Sequence, residues 1–500
     1  MTERECRARL PKGFEWVDCS DRRFREALSE IWSDESSVVF ISGQGGCGKS
    51  VLYQIAYYKN PYYTKALAST GRAAENLRND ASIPATTIHS GLGIGCRDLY
   101  DQPYKADADL TKRQMEALDG VRTILIDEVS MVSANLMDEI LWMIDKYRDD
   151  YGVRIRLILF GDPLQLQPVV TDSAREYWSK RCPEEWEKAY GDGECFFDSR
   201  RFKAVPKYKV RLERVMRQGD GQAAFKTALD NIRSGKATQS DADVFKTRIM
   251  DESVYASTAG KGYLYLTGTN AEAERINNER MAMFRRKTRT YHAGYGIPDG
   301  VRGPKDPKEI EALYGKEFRE AFPQYFRKCA EGWTADVPLA PGMQVMVTTN
   351  LPSKGVANGT LGTVVSIIGS NSDRHDLLTS VRISYEGPGK KIMTTDITPV
   401  RLGLSRAWME MDEDGWADEY AYMWVLPLKP AYAMTFHKAQ GLTLDRVYIN
   451  SGTRYVAPGA MYVALSRCRS LEGIGLSTAL SVDKLQPPIR SLSWYSEQLW

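Results

Sequence analysis

Short runs of consecutive apolar residues, each closed by a turn signal or followed by a helical spacing, set the rhythm of the first part of the chain. Ser37–Ser42 (SVVFIS), Lys65–Ala68 (KALA), Thr123–Ile126 (TILI) and Arg156–Phe160 (RLILF) have this character. They predict strands buried on both faces, as in a parallel sheet covered by helices. The pattern restarts after Arg217 with Tyr263–Thr267 (YLYLT), pauses, and resumes at Tyr432–Thr435 and Arg446–Asn450. In between, Gln344–Thr348, Gly362–Ile368 and Ser380–Tyr385 alternate polar and apolar and are divided by Asn-Gly, Gly-Ser and Gly-Pro turns. That alternation predicts a small antiparallel barrel inserted into a second α/β domain. Residues 277–340 carry a basic run, Arg285–Arg289 (RRKTR), and a Pro/Gly-rich stretch at Pro298–Pro307, and no regular period; Met409–Glu419 is acidic and reads as a surface loop.

Composition narrows the class. A chain of 500 residues is too long for one ordinary core, so two or more domains are expected. With 43% hydrophobic, 26% charged and 10% aromatic residues it reads as globular and soluble. No stretch reaches the roughly 18 consecutive apolar residues of a membrane span, and the first residues lack a secretory apolar core. An intracellular protein without a membrane partner is therefore expected. Eight cysteines without C-x-x-C spacing and only four histidines argue for reduced thiols rather than a zinc site. A net charge of +2 excludes a histone-like binder but leaves room for a narrow basic channel.

Gly43-Gln44-Gly45-Gly46-Cys47-Gly48-Lys49-Ser50 fits the phosphate-loop pattern at every position and follows a predicted strand. The glycines let backbone N–H groups curl around phosphate oxygens, and the following helix start favours the same anion. Lys49 would neutralise phosphates and Ser50 would offer a hydroxyl to Mg²⁺. Ile124-Leu125-Ile126-Asp127-Glu128 is an apolar strand ending in two carboxylates. At the carboxyl edge of a parallel sheet, Asp127 can hold Mg²⁺ and Glu128 can orient an attacking water.

Further motifs decide among P-loop proteins. Leu67–Ala74 (LASTGRAA), Thr87-Ile88-His89-Ser90, Asp127–Met131 (DEVSM), Gly161–Val169 (GDPLQLQPV), Val215–Gln218 (VMRQ), Thr435–Thr443 (TFHKAQGLT) and Tyr462–Arg469 (YVALSRCR) follow one another in order. In these stretches the chain resembles the superfamily 1B DNA helicases of the Pif, RecD and Dda branch, from about residue 37 to 476, with 277–340 poorly matched. The resemblance implies two RecA-like P-loop cores, ATP and Mg²⁺ as cofactors, and 5′-to-3′ movement on single-stranded DNA with unwinding of forked or 5′-tailed duplex, by a monomer. It implies that Gln165 senses the γ-phosphate, that Arg217 and Arg467 are arginine fingers, and that Gly43, Gly45, Gly46, Cys47, Gly48 and Gly441 line the nucleotide. Thr70, Thr87, His89, Thr435 and His437 would face the strand, contacting phosphates without reading bases. Val345–Asn350 and Ala357–Thr360 resemble the inserted barrel of these enzymes, which puts Thr348, Asn350 and Asn358 on the strand as well.

The same resemblance sets the expected boundaries: an N-terminal segment 1–36, core 1 over 37–205, core 2 over 206–276 and 425–500, an irregular insertion 277–340, and an SH3-like barrel 341–424. Two departures stand out. The glutamine that reads adenine in the family has no counterpart in Asp18–Ile31, which leaves base selectivity open, and motif III reads Leu-Gln-Pro where Leu-Pro-Pro is common. An ATP-switched strand-binding remodeller and an RNA helicase remain as alternatives. A wedge or pin is expected within about 91–120, where Leu99, Tyr100 and Tyr104 would either stack on the first base pair or pack the loop onto the core.

Overall fold

The computed structural model describes residues 1–94, 109–168, 194–214, 222–251, 253, 255, 263–284, 288–321, 337–349, 351–356, 360–369, 380–387, 391–405, 419–442, 444–452 and 456–499. These form two compact units, Met1–Gly268 with Thr435–Trp500, and Thr269–Met434. The candidate wedge side chains Leu99, Tyr100 and Tyr104 lie outside the described residues, as do Arg217, Asn350, Asn358 and the basic run 285–287.

The first unit is built on a six-stranded sheet of β1 (Val38–Gly43), β2 (Thr64–Ala68), β3 (Thr86–Thr87), β4 (Thr123–Asp127), β5 (Arg156–Gly161) and β6 (Lys207–Leu212), in the order β3-β2-β4-β5-β1-β6. Every pairing is parallel. Each apolar run of the sequence occupies an inner position, and β1 and β5 are buried along their whole length. Strand β6 (KYKVRL) gives no such run because it pairs only with β1 and leaves its other edge partly exposed. The helices Arg22–Ser33, Lys49–Lys59 and Ala134–Tyr151 supply the covering layers. Asp21 caps the first of them through the Phe24 amide at 2.8 Å.

A second parallel sheet in the same unit joins Leu264–Thr267, Val447–Ile449 and Ile474–Leu476, with Val447 opposite both Leu264 and Ile474. The last strand is three residues long, too short for a period to reveal it. The helix Ala460–Ser466 belongs to this core and is buried throughout.

One buried ion pair ties the two cores of this unit together. Asp162, immediately after β5, receives Nε and Nη2 of Arg233 at 2.8 Å each. Arg233 ends the helix Ala223–Arg233. Its Nη2 also donates to the Tyr495 hydroxyl at 3.1 Å, and its guanidinium lies 5.1 Å from that ring's centre. Burial alone would raise the Asp162 pKa, but the Arg233 cation holds it below the usual carboxylate range.

In the second unit, Gln344–Val347, Leu361–Ile368, Ser380–Glu386, Ile392–Ile397 and Leu428–Pro430 form a five-stranded antiparallel sheet. Its alternating inner positions, Val345, Val347, Val364, Val381, Ile383 and Tyr385, fill a shared core. A separate three-stranded sheet pairs Val400–Ser405 with Glu419–Val425, and the latter with Gly294–Gly296. The helix Pro307–Ala321 packs on it through Phe318. Residues 277–340 thus contain regular structure that shows no period in sequence. Its strands are three residues long, and they pair with partners distant in the chain, such as Gly296 with Tyr422.

Removing one partner of a buried ion pair leaves the other charge unanswered. Arg233→Ala should therefore cost about 3–5 kcal/mol in urea unfolding. Arg233→Ala/Asp162→Ala should cost less, because no stranded carboxylate remains. Equal losses in the two variants would contradict the pairing.

Candidate active site

The phosphate loop runs from the end of β1 into the helix Lys49–Lys59, and its turn depends on left-handed glycines: Gly46 at φ +86° and Gly48 at φ +92°. A Cβ on Gly43 would collide with Cys47 Sγ and the Leu212 carbonyl, so the loop's first position is closed to larger residues. Lys49 Nζ donates to the carbonyl oxygens of Gly43 and, at 2.8 Å, Gln44. The ammonium is therefore held inside the curl of the loop, while Ser50 is exposed at the start of the helix.

Strand β4 delivers Asp127 and Glu128 to the same edge. Asp127 accepts the Glu128 amide at 2.9 Å. Burial first, and the neighbouring Glu128 carboxylate second, push the Asp127 pKa up to about 7, against the pull of Lys49. Glu128 sits in the left-handed region at φ +53°, unusual for a residue with a side chain. Backbone strain of this kind is held in place by surrounding structure and concentrates at functional positions.

Motif III follows β5 onto the same edge. Gln165 is buried; its Nε2 donates weakly to Asp162 Oδ2 at 3.4 Å, and its Oε1 has no partner. Gly459, at φ +81°, opens the helix Ala460–Ser466 against this loop. A Cβ there would come within 3.3 Å of the Gln165 carbonyl.

The second core supplies the other side. Gln440 Nε2 donates to Glu128 Oε2 at 3.2 Å and reaches Ser130 Oγ at 3.4 Å. Its own Oε1 is buried without a partner. The Gly441 carbonyl accepts from Asn76 Nδ2 at 2.9 Å. Arg467 is buried, its guanidinium bonded to the carbonyls of Val463 (2.8 Å) and Leu442 (3.3 Å) and to Ser466 Oγ (2.9 Å). The Tyr462 hydroxyl faces the Gly45 amide of the phosphate loop; burial raises its pKa.

Lys49, Asp127, Glu128, Gln165, Gly441 and Arg467 thus all lie within a single compact unit, where Gln440 bonds Glu128 and Tyr462 faces Gly45. Three residues here escaped the sequence reading: Gln440, Asp162 and Arg233. The first two lie inside the HKAQG and GDP motifs, so their motif membership was the available signal. Arg233 had none, because its meaning comes only from the buried carboxylate it faces.

The candidate strand-facing residues have local structural work as well. Thr70 caps the helix Gly71–Ala81 through the Ala73 amide, and Thr87 caps Ile88–Leu92 through the Ser90 amide. Thr435 precedes the short helix Phe436–Ala439 and is buried. Burial lowers the pKa of both His89 and His437, which disfavours the cationic form of each. Thr348, in the second unit, has a buried hydroxyl without a partner.

An AAA domain family model matches residues 21–179. The ATP-dependent DNA helicase PIF1 of Danio rerio is 29% identical over 447 residues, covering 87% of this chain and 58% of that protein. The ATP-dependent DNA helicase Pif1 of Psychrobacter sp. is 27% identical over 497 residues, covering 88% of this chain and 65% of its own length. The chain therefore spans about three fifths of these relatives. Among solved structures, the Bacteroides Pif1 helicase in complex with ADP-AlF3 and ssDNA superposes with a TM-score of 0.70 at 25% identity, covering 96% of this chain and 97% of that one. With its motifs in the order noted above and its two parallel-sheet cores, the chain is similar to the Pif1 helicases over most of its length and shares their fold.

Proposed function

We propose that the chain is an ATP-driven DNA helicase that moves 5′ to 3′ on single-stranded DNA and opens forked or 5′-tailed duplexes as a monomer. The observation that carries this reading is the Gln440–Glu128 hydrogen bond. A residue of the second core grips the carboxylate that would orient the attacking water in the first, so a shift between the cores changes the geometry of hydrolysis. A P-loop enzyme without a motor role has no need for that link. Relatives named as ATP-dependent DNA helicases, and a similar structure holding ADP-AlF3 and ssDNA, support the choice of ATP and DNA.

The donor set at the cleft suits Mg²⁺. Asp127 and the Ser50 hydroxyl are hard oxygen ligands, and the raised proton affinity of Asp127 marks a carboxylate short of positive charge. These two residues would hold the ion, which would supply charge neutralisation to the phosphates. Lys49 would bind the β- and γ-phosphates, Glu128 would orient water, and Gln165, with an unmatched oxygen, is poised to sense the γ-phosphate. Arg467 and Arg217 would supply transition-state cations, contributions worth about 10³-fold in related enzymes. Thr70, Thr87, His89, Thr435 and His437, with Thr348, Asn350 and Asn358 of the inserted unit, would contact strand phosphates.

ATPase assays with and without single-stranded DNA test the site. Lys49→Ala should lose nucleotide binding and turnover, while Glu128→Gln should bind ATP and hydrolyse it poorly. Gln440→Ala should lower the strand-stimulated rate about tenfold, the worth of one charge-assisted hydrogen bond. Unchanged stimulation in Gln440→Ala would remove the coupling argument.

Asp127 gives a pH signature. Its folded pKa lies above the unfolded value, so its contribution to stability declines as pH rises toward 7. Asp127→Asn, which mimics the protonated acid, should raise the melting temperature of the nucleotide-free protein at pH 8. The gain should shrink toward pH 4. A gain independent of pH would argue against a raised Asp127 pKa.

Polarity is read by duplex substrates with a single tail. Unwinding should require a 5′ tail; unwinding from a 3′ tail alone would overturn the direction, and binding without unwinding would favour a remodeller.

A further inference from the structure

The carboxyl edge of the first sheet carries the nucleotide chemistry, as open α/β sheets generally do. Its amino edge carries a feature that this chemistry does not use. A cavity of about 230 Å³ opens where β2, β4 and β5 begin, lined by Lys59, Arg122, Arg154 and Arg156 among others, with Asp34 as its carboxylate.

Two of the four cations are fully occupied. Arg156 is buried and donates to the carbonyls of Glu30 and Ile31 and to the carboxylates of Glu30 (3.3 Å) and Asp34 (3.0 Å). Lys59 bonds the Ile31 carbonyl and Asp34 at 2.7 Å. Both close the carboxyl end of the helix Arg22–Ser33, where cations satisfy free carbonyls. Arg122 and Arg154 are different. Both are exposed, and among the described residues neither meets a carboxylate. The Arg122 guanidinium donates to the Val121 carbonyl, and that of Arg154 to the Glu35 carbonyl and Ser37 Oγ. The cavity thus carries two guanidiniums with no carboxylate partner among the described residues.

The segment forming its rim adds a second, independent feature. Asn60 and Thr64 line the cavity, and between them stand Tyr62 and Tyr63, 94% and 49% exposed. Exposed tyrosines beside unpaired guanidiniums are the pairing that sequence-independent strand binding requires: aromatic faces for bases, cations for phosphates. Size favours the same division. The cavity is smaller than the roughly 300–1,000 Å³ of small-molecule pockets, enough for a phosphate but not for a nucleotide with its base inside.

We propose that this amino-edge cavity is a second contact for single-stranded DNA, seating a backbone phosphate between Arg122 and Arg154 while a base stacks on Tyr62 or Tyr63. The choice of a DNA strand as occupant rests on the DNA-motor reading; the excess of cations does not. The site would hold a strand segment outside the cleft, adding affinity for long strands without entering hydrolysis.

The test uses the full chain and thymidine oligonucleotides, one short and one long, measured by fluorescence anisotropy across a salt series. Arg122→Gln/Arg154→Gln and Tyr62→Ala/Tyr63→Ala should each bind the long oligonucleotide about tenfold more weakly, with short-strand binding and ATPase unchanged. The arginine pair should also flatten the salt dependence of long-strand binding by about 0.7 in log–log slope, the share of one phosphate on a single strand. Melting curves of both variants check that the fold is kept; the substituted side chains are exposed. Wild-type affinity and slope in both folded variants would overturn the proposal. Thymidine monophosphate and inorganic phosphate form the comparison arms. If either erases the long-strand advantage at low concentration, the cavity takes a free phosphate compound and the strand assignment falls. A wild-type chain that binds no oligonucleotide defeats the DNA-motor reading itself, whereas strand-stimulated ATPase with unaffected variants defeats only this site.

Discussion

Asp162 and Arg233 are both almost wholly buried, and neither could remain charged there without the other. Taking two ions out of water costs several kcal/mol each, recovered only when the geometry is close to ideal and the remaining hydrogen-bond positions are filled. Here the pair is bidentate, the Tyr495 hydroxyl accepts a further hydrogen bond from Arg233 Nη2, and the Leu164 amide donates to Asp162 Oδ1 at 3.2 Å. The consequence is geometric. The motif III loop, the helix that ends at Arg233 and the last helix of the chain are fixed to a common point, and the cleft residues are placed relative to it.

Around that anchor the polar groups of the cleft are deliberately under-satisfied. Gln165 and Gln440 each bury an amide oxygen without a partner. Buried groups left unmatched cost about 1–3 kcal/mol each, so a fold tolerates them where another state supplies what is missing. Glu128, held in a left-handed backbone conformation and gripped by Gln440, is part of the same arrangement. Rigid anchoring at Asp162 thus stands beside unfilled polar capacity a few residues away.

His89 and His437, two of the proposed strand contacts, have their pKa lowered by burial, which disfavours their cationic forms. Arg122 and Arg154, on the opposite edge of the sheet, are two places where the described fold leaves positive charge without a carboxylate partner.

The sequence by itself determined the fold class and pointed to much of the candidate nucleotide site. Buried parallel strands must be apolar on both faces, so SVVFIS, TILI and RLILF announce themselves, and the phosphate loop and DEVSM are contiguous, each residue's role fixed by its neighbours in the chain. Gln440 was within reach, inside a motif already noted. Strand β6 was not, because an edge strand need not be apolar, and neither were the short strands of residues 289–296, whose partners lie far along the chain. Only the tertiary structure could pair Asp162 with Arg233, or bring Lys59, Arg122, Arg154 and Arg156 to one cavity. Local periodicity records which face of an element is buried; it carries no information about which distant side chain a buried or exposed charge will meet.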